Sequence, residues 1–159
     1  MIVAHRLLLL IIAAAIGFPV AASAAPQFSD LAQPGSAHSL SELRGQPSAV
    51  LVWKSDCAPC IVELMHLNEI AAGAPRWRIV TLALDEAQTA RRALPPQARV
   101  AAGSWYTSAP PAQVLATLNS AQPILPLTIA VNTHGEICAR RVGLLGSDVL
   151  NGWSEQCSR

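Results

Sequence analysis

The sequence predicts an α/β fold in which a mixed sheet is covered by helices on both faces. Residues 49–53 form a continuous apolar run, as expected for a strand that is buried on both sides. From Cys57 the apolar spacing becomes helical and continues to Gly73, and a second apolar run follows at 77–84. A strand, a helix and a strand in this order constitute a right-handed βαβ unit.

The second half of the sequence predicts two short helices, a β-hairpin and a last helix. The helices are expected at 86–94, where two prolines follow, and at 111–119, where a proline begins the first turn. Apolar runs at 124–131 and 136–142 are separated by an Asn-Thr-His-Gly turn and predict the hairpin. Residues 147–156 have a helical pattern and complete the fold.

The first 24 residues have the features of a cleaved signal peptide. Arg6 precedes a short apolar core, and Ala22-Ser23-Ala24 offers the small residues that a signal peptidase reads. The core is shorter than the roughly 20 residues that a membrane span needs, and an uncleaved membrane anchor is the alternative. We expect residues 25–38 to form a flexible lead and residues 39–159 to form one domain, which we expect to be a monomer.

Composition limits the partners that this chain can have. Without Arg6, ten Lys and Arg residues balance ten Asp and Glu residues, so no basic patch is available for nucleic acid. All four cysteines follow the predicted signal peptide. The periplasm, where we expect the protein, is oxidising and permits disulfides.

The motif Cys57-Ala58-Pro59-Cys60 predicts a redox-active site of the thioredoxin-like type. It begins a helix, where unpaired N–H groups and partial positive charge favour a thiolate. We expect Cys57 to be the exposed nucleophile and Cys60 to resolve the mixed disulfide. The alternatives are an inert bridge and a zinc half-site, although Cys138 and Cys157 form no matching second pair.

Two carboxylates lie close to this motif in the sequence. Asp56 precedes Cys57 and would oppose thiolate formation by on the order of 1 kcal/mol if solvated; the alternative is an exposed helix cap. Glu63 follows Cys60 by one helical turn. If it is partly buried, its pKa should be raised and it could exchange protons with the cysteine pair. An exposed acid without function fits the same spacing.

Three further residues are candidates for structural roles at the site. Pro126 interrupts an apolar strand, which a cis Leu125–Pro126 bond would explain, whereas a trans proline at the start of the strand is the alternative. Cys138 on the last strand and Cys157 on the last helix could form a structural disulfide worth about 3 kcal/mol. The alternatives for this pair are free thiols or a second exchanging disulfide.

No cofactor and no metal is expected. His66 or His134 could join Cys57 and Cys60 around copper, as in a periplasmic copper-binding chaperone. A single histidine on a helix more often faces solvent, so the copper site is kept only as an alternative.

Three stretches of the sequence resemble the TlpA-like (ResA-like) branch of thioredoxin-fold proteins, which are exported thiol–disulfide oxidoreductases. They are the leader Leu-Ser-Glu-Leu-Arg-Gly-Gln-Pro at 40–47, the strand and CxxC motif at 50–63, and the segment 125–135. The resemblance implies a thioredoxin-like fold, a cis peptide bond at Pro126 and an active-site role for Glu63.

The sequence also departs from this family. Leu51 occupies the place of the buried aspartate of ordinary thioredoxins, and Asp56, Ile61 and Met65 differ from the residues that are frequent in the family. Residues 95–123 match nothing in it.

The resemblance implies an enzyme that exchanges disulfides with protein thiols. The first expectation is a protein-disulfide reductase, of the kind whose partners include those of cytochrome c maturation. Such a reductase needs a membrane electron donor, because the periplasm is kept oxidising. A disulfide oxidase or isomerase is the enzymatic alternative, and the copper-binding chaperone is the non-enzymatic one.

Overall fold

A computed structural model describes residues 27–33, 35–118, 120 and 124–158. The predicted signal peptide lies outside the described residues. Seven strands form one sheet: β1 (Phe28–Asp30), β2 (Ala37–His38), β3 (Ser48–Trp53), β4 (Arg78–Ala83), β5 (Gly103–Tyr106), β6 (Leu127–Val131) and β7 (Ile137–Val142). Their spatial order is β2-β1-β5-β4-β3-β6-β7. The sheet is mixed, because β3, β4 and β5 run parallel whereas β6 and β7 run antiparallel to their neighbours.

Five α-helices and two 3-10 segments accompany the sheet in the described part of the chain. The α-helices are α1 (Ala58–Met65), α2 (Leu67–Gly73), α3 (Ala87–Ala93), α4 (Pro111–Thr117) and α5 (Ser147–Gln156). The 3-10 segments are Leu40–Leu43 and Pro96–Val100. None of the helices in the described residues is long and apolar enough to cross a membrane.

The central strand β3 carries the arrangement that positions the site. All of its side chains are buried, as predicted for a strand that is covered on both faces. It pairs in parallel with β4 and antiparallel with β6. The predicted βαβ unit and the hairpin of β6 and β7 are therefore confirmed, and both lie beside the same strand.

Side-chain alternation along β3 divides the core into two layers. Leu51 and Trp53 point into a cluster that contains residues of α1, α2, α3 and α5. Val50 and Val52 point into a second cluster, which contains Leu115 and other residues of α4. Helices thus cover both faces of the sheet, as the sequence predicts.

The structure differs from the predicted elements at three places, and the first is β5, a strand that the sequence pattern does not predict. The helix expected from 57 to 73 is divided at His66, whose N–H bonds to the carbonyl of Glu63, three residues back. The segment 25–38, predicted as a flexible lead, contributes β1 and β2 to the sheet. Phe28 is 1 % exposed and stacks on Trp105 of β5, with ring centroids 5.8 Å apart. Burial of one aromatic side chain outweighs the loop-like composition around it.

Candidate functional site

Strand β3 leads directly into the turn that presents the two cysteines. Cys57 is the N-cap of α1, and its sulfur accepts a hydrogen bond from the N–H of Cys60 at 3.3 Å. The two sulfurs are bonded, with 2.03 Å between them. Cys57 is partly buried, whereas Cys60 is 0 % exposed. Of the two cysteines, only Cys57 is thus partly exposed to an attacking partner.

The turn before Cys57 holds opposite charges side by side. The Nζ atom of Lys54 lies 3.1 Å from Oδ2 of Asp56, and the Asp56 side chain is 72 % exposed. The ammonium group offsets part of the field that the carboxylate exerts on Cys57. Solvent screens the remaining effect of the Asp56 charge on Cys57, since exposed charges in proteins interact weakly.

A second carboxylate at this turn is missed by the sequence reasoning. Oδ2 of Asp85 accepts a hydrogen bond from the N–H of Ser55 at 2.6 Å. Asp85 follows β4, whose last residue pairs with Trp53 at the end of β3. Carboxyl ends of adjacent parallel strands meet at one sheet edge, and this rule is the sequence signal that points to Asp85.

Glu63 is buried beneath the surface one turn after Cys60. It is 2 % exposed, and its Oε1 atom accepts a hydrogen bond of 2.5 Å from the N–H of Leu145. Its Oε2 atom has no hydrogen-bond partner among the described residues. Burial raises the pKa of Glu63 from 4.5 to about 7, while the Leu145 N–H and the charge of Arg141 act to lower it. The burial on which the expected rise in pKa depended is present, and the alternative of an exposed acid is wrong.

Pro126 lies beside the end of β3 with a cis peptide bond to Leu125, as predicted. The register pairs Val52 with Leu127, which places Pro126 next to Trp53 and close to the start of the cysteine turn. The carbonyl of Pro126 accepts a hydrogen bond of 2.9 Å from Gly143. Gly143 belongs to the same turn as Leu145, whose N–H bonds to Glu63, so this turn connects Pro126 with Glu63.

Cys138 and Cys157 form the predicted second disulfide, with their Cα atoms 5.3 Å apart. The bond joins the beginning of β7 to the end of α5. Cys157 is 3 % exposed, and the side chain of Gln156 donates to the carbonyl of Cys138 at 2.8 Å. The alternative of free thiols is therefore wrong for this state of the protein.

Large apolar side chains are exposed around these elements. In the described part of the chain, five of them are about half exposed: Val62, Met65, Ile124, Val142 and Leu144. We call this set the apolar rim. Its members lie within two residues of Glu63, Pro126 or Gly143, and hydrogen bonds join the segments that carry them. A cluster of exposed apolar residues is a common feature of surfaces that bind other proteins.

The two histidines of the copper alternative lie away from the cysteines. His66 ends α1, about 13 Å along the helix axis from Cys57. His134 lies in the turn after β6, at the end of that strand remote from Pro126. No group of three His, Cys, Asp or Glu side chains in the described residues could hold a metal ion.

The fold and this arrangement define a thioredoxin-like structure, and solved structures with the same fold are thiol–disulfide proteins. A secreted thiol-disulfide isomerase from Corynebacterium glutamicum has a TM-score of 0.66 and 21% identity, covering 85% of this chain and 84% of that one. The thioredoxin domain of a thiol-disulfide oxidoreductase from Bacteroides vulgatus has a TM-score of 0.65 and 19% identity, covering 84% and 93%. A thiol:disulfide interchange protein from Bacteroides sp. has a TM-score of 0.64 and 20% identity, covering 85% and 88%. No family model and no curated protein matches the sequence.

Proposed function

We propose that this protein is an exported thiol–disulfide oxidoreductase that reduces disulfides in other proteins. The observation that supports this proposal is the difference in burial between the two cysteines at the start of α1. One cysteine of the CxxC pair is partly exposed and the other is fully buried, and a buried carboxyl with a pKa of about 7 follows one turn later. An inert bridge requires neither the partly exposed cysteine nor the carboxyl with a raised pKa.

In the first step the reduced enzyme attacks its substrate. The thiolate of Cys57 forms a bond to one sulfur of the substrate disulfide, and the other substrate sulfur leaves as a thiolate that takes a proton. The N-terminus of α1 stabilises the attacking thiolate through its N–H groups, one of which contacts the Cys57 sulfur in this structure.

In the second step Cys60 releases the substrate. Its thiol loses a proton and attacks the Cys57 sulfur, the bond from Cys57 to the substrate breaks, and the substrate sulfur leaves as a thiolate that takes a proton. The product is the Cys57–Cys60 disulfide that the structure contains. We assign the proton of the Cys60 thiol to Glu63, because a carboxyl with a pKa near the working pH can both accept and return a proton. Residues one turn apart on a helix lie on the same side, so Glu63 and Cys60 are neighbours.

The direction of electron flow is the finer part of the proposal. Asp56 and Asp85 place negative charge around the cysteine turn, against one positive charge from Lys54. Negative charge disfavours the thiolate, and a less stable thiolate makes the pair more reducing. Re-reduction of the pair would come from a membrane electron donor, since the periplasm is oxidising.

The apolar rim and Pro126 support a protein substrate. A cysteine-containing segment in extended form could lie against the chain around the cis proline, with apolar side chains on the rim. The copper-binding alternative has less support, since His66 and His134 lie away from the cysteines. The oxidase or isomerase alternative uses the same residues and differs only in redox potential.

Reduction of insulin disulfides by the purified protein tests the activity. The Cys57→Ser variant should lose it, and the Cys60→Ser variant should accumulate a mixed disulfide with its substrate. A double Cys138→Ala/Cys157→Ala variant is the matched control, and it should retain exchange. Turnover in Cys57→Ser would refute the assigned roles.

The redox potential of the Cys57–Cys60 pair, titrated against glutathione, tests the direction. A value near about −270 mV fits a reductase, and a value near about −120 mV fits an oxidase.

A further inference from the structure

A single peptide group connects an exposed arginine to the buried Glu63. It is the peptide group between Leu144 and Leu145, in the turn from β7 to α5. Its carbonyl accepts a hydrogen bond of 2.8 Å from Nε of Arg141, and its N–H donates to Oε1 of Glu63 at 2.5 Å. The cation and the carboxylate are thus bound to opposite ends of one dipole.

This arrangement has a definite electrostatic sense. A cation at the carbonyl end polarises the peptide group, and a polarised N–H is a stronger donor to a carboxylate. Arg141 is exposed, so its own charge stays in water, whereas Leu145 and Glu63 are 6 % and 2 % exposed. The peptide group carries the effect of the charge from the surface into the core.

We propose that Arg141 is a positioning residue that holds the Glu63 carboxylate through the Leu144–Leu145 peptide group. The bond from Arg141 to the carbonyl of Leu144 fixes the orientation of the peptide group. The N–H of Leu145 is thereby held in position to donate to the Glu63 carboxylate. The inference deepens the proposed function, since the proton on Glu63 matters for catalysis only if Glu63 serves Cys60.

The neighbouring groups leave Arg141 as the charge that acts on Glu63. On α1 and its end, Cys60 is in the disulfide and does not titrate, and His66 bonds to the carbonyl of Val62. Asp148, in the first turn of α5, and Glu69 of α2 are exposed. Of these charged groups, only the Arg141 guanidinium contributes to the pKa of Glu63, and it lowers that pKa.

The next residue in the chain provides a matched control. Arg140 is also exposed and also donates from Nε to a carbonyl, that of Leu118 at 3.1 Å. It pairs with Ile129, on the opposite face of the sheet from Glu63, whereas Arg141 pairs with Thr128. The two arginines are therefore alike in exposure and in bonding to a carbonyl, and they differ in the face of the sheet on which they lie.

The test is the titration of the Glu63 carboxyl in the oxidised full chain, followed by NMR with carboxyl-labelled glutamate and assigned by loss of the signal in Glu63→Gln. Arg141→Gln should raise the midpoint by about half a unit, the size that a partly screened charge produces. Arg141→Lys should recover part of this shift, because lysine keeps the charge but not the fixed Nε geometry. Arg140→Gln should leave the midpoint unchanged.

Equal midpoints in Arg141→Gln and Arg140→Gln would overturn the proposal. A second readout is the pH profile of insulin reduction, which should move with the carboxyl midpoint in Arg141→Gln. If the midpoint moves but Glu63→Gln exchanges disulfides normally at every pH, the role of Arg141 stands and the catalytic role of Glu63 fails. The positioning role of Arg141 and the catalytic role of Glu63 can therefore be refuted independently.

Discussion

Replacing Glu63 by glutamine should remove a pH dependence of stability that this one residue imposes on the fold. The folded pKa of about 7 lies above the ordinary value of 4.5, so the folded protein binds this proton more tightly than the unfolded chain does. The stabilisation is therefore fully present below pH 4.5 and is lost as the pH rises through 7. The isosteric amide keeps the acceptor for Leu145 and cannot ionise.

The magnitude follows from the two pKa values. Each pKa unit corresponds to about 1.36 kcal/mol, so the shift from 4.5 to about 7 amounts to roughly 3 kcal/mol in total. Between pH 5 and pH 8 the part that is lost is about 2–3 kcal/mol, since the unfolded chain has already released most of this proton by pH 5 and the rest of the loss lies below that pH. This part is a large fraction of the stability of an ordinary domain.

Urea unfolding of the oxidised protein at pH 5 and pH 8, followed by tryptophan fluorescence, measures the effect. The free energy of unfolding should fall between the two pH values by about 2–3 kcal/mol more in the unmodified protein than in Glu63→Gln. The control is Glu69→Gln, an exposed residue of α2 on the neighbouring helix, which should behave like the unmodified protein. Parallel pH dependences in the unmodified protein and Glu63→Gln would refute the reasoning.

Three other perturbations have expected outcomes that equilibrium or kinetic assays can check. Gly73→Ala should destabilise the protein by about 1–3 kcal/mol in urea unfolding, because a Cβ there would lie 2.6 Å from the Cβ and Oγ of Ser147; a normal midpoint would contradict this close packing. Cys138→Ala/Cys157→Ala should lower the unfolding free energy by about 3 kcal/mol, since the bond closes a loop with a sequence separation of 19; unchanged stability would refute a structural role. Met65→Asp should raise KM for a protein disulfide several-fold but leave reaction with a small disulfide unchanged, and equal effects on both would exclude docking at the apolar rim.

The sequence predicts those parts of the fold that a pattern of apolar residues along the chain identifies. The continuous apolar run of β3 and the helical spacing after Cys57 need only near neighbours to be interpreted, and both are confirmed. The disulfide of Cys138 and Cys157 follows from two elements that adjoin in the chain. The cis bond at Pro126 required the family resemblance, because the spacing alone also fits a trans proline.

The parts that escape prediction depend on contacts between distant residues. Asp85 reaches Ser55 across 30 positions, and the bond from Leu145 to Glu63 spans 82. Nothing in the local pattern around Glu63 distinguishes a buried carboxyl from an exposed one, and its hydrogen-bond donor, the N–H of Leu145, lies in a distant turn. The strand β1 is similar, because Phe28 is recognised as a core residue only once Trp105 is beside it.

The place of Leu51 is consistent with the proposal that the proton of Cys60 is exchanged with a helix residue rather than with a residue of the sheet. Leu51 lies between Thr81 and Thr128 in one row across three strands, on the same face as Trp53, and this row contains no ionisable side chain. A carboxyl on the sheet would be held by the strands, whereas Glu63 shares a helix with Cys60, the cysteine with which it is proposed to exchange a proton. Its distance to Cys60 is therefore set by helix geometry. Its proton affinity is raised by burial and lowered in part by the N–H of Leu145, in a turn that is 82 residues away in sequence. Substitutions in that turn can consequently change the proton affinity of the site while the geometry of the cysteine pair stays the same.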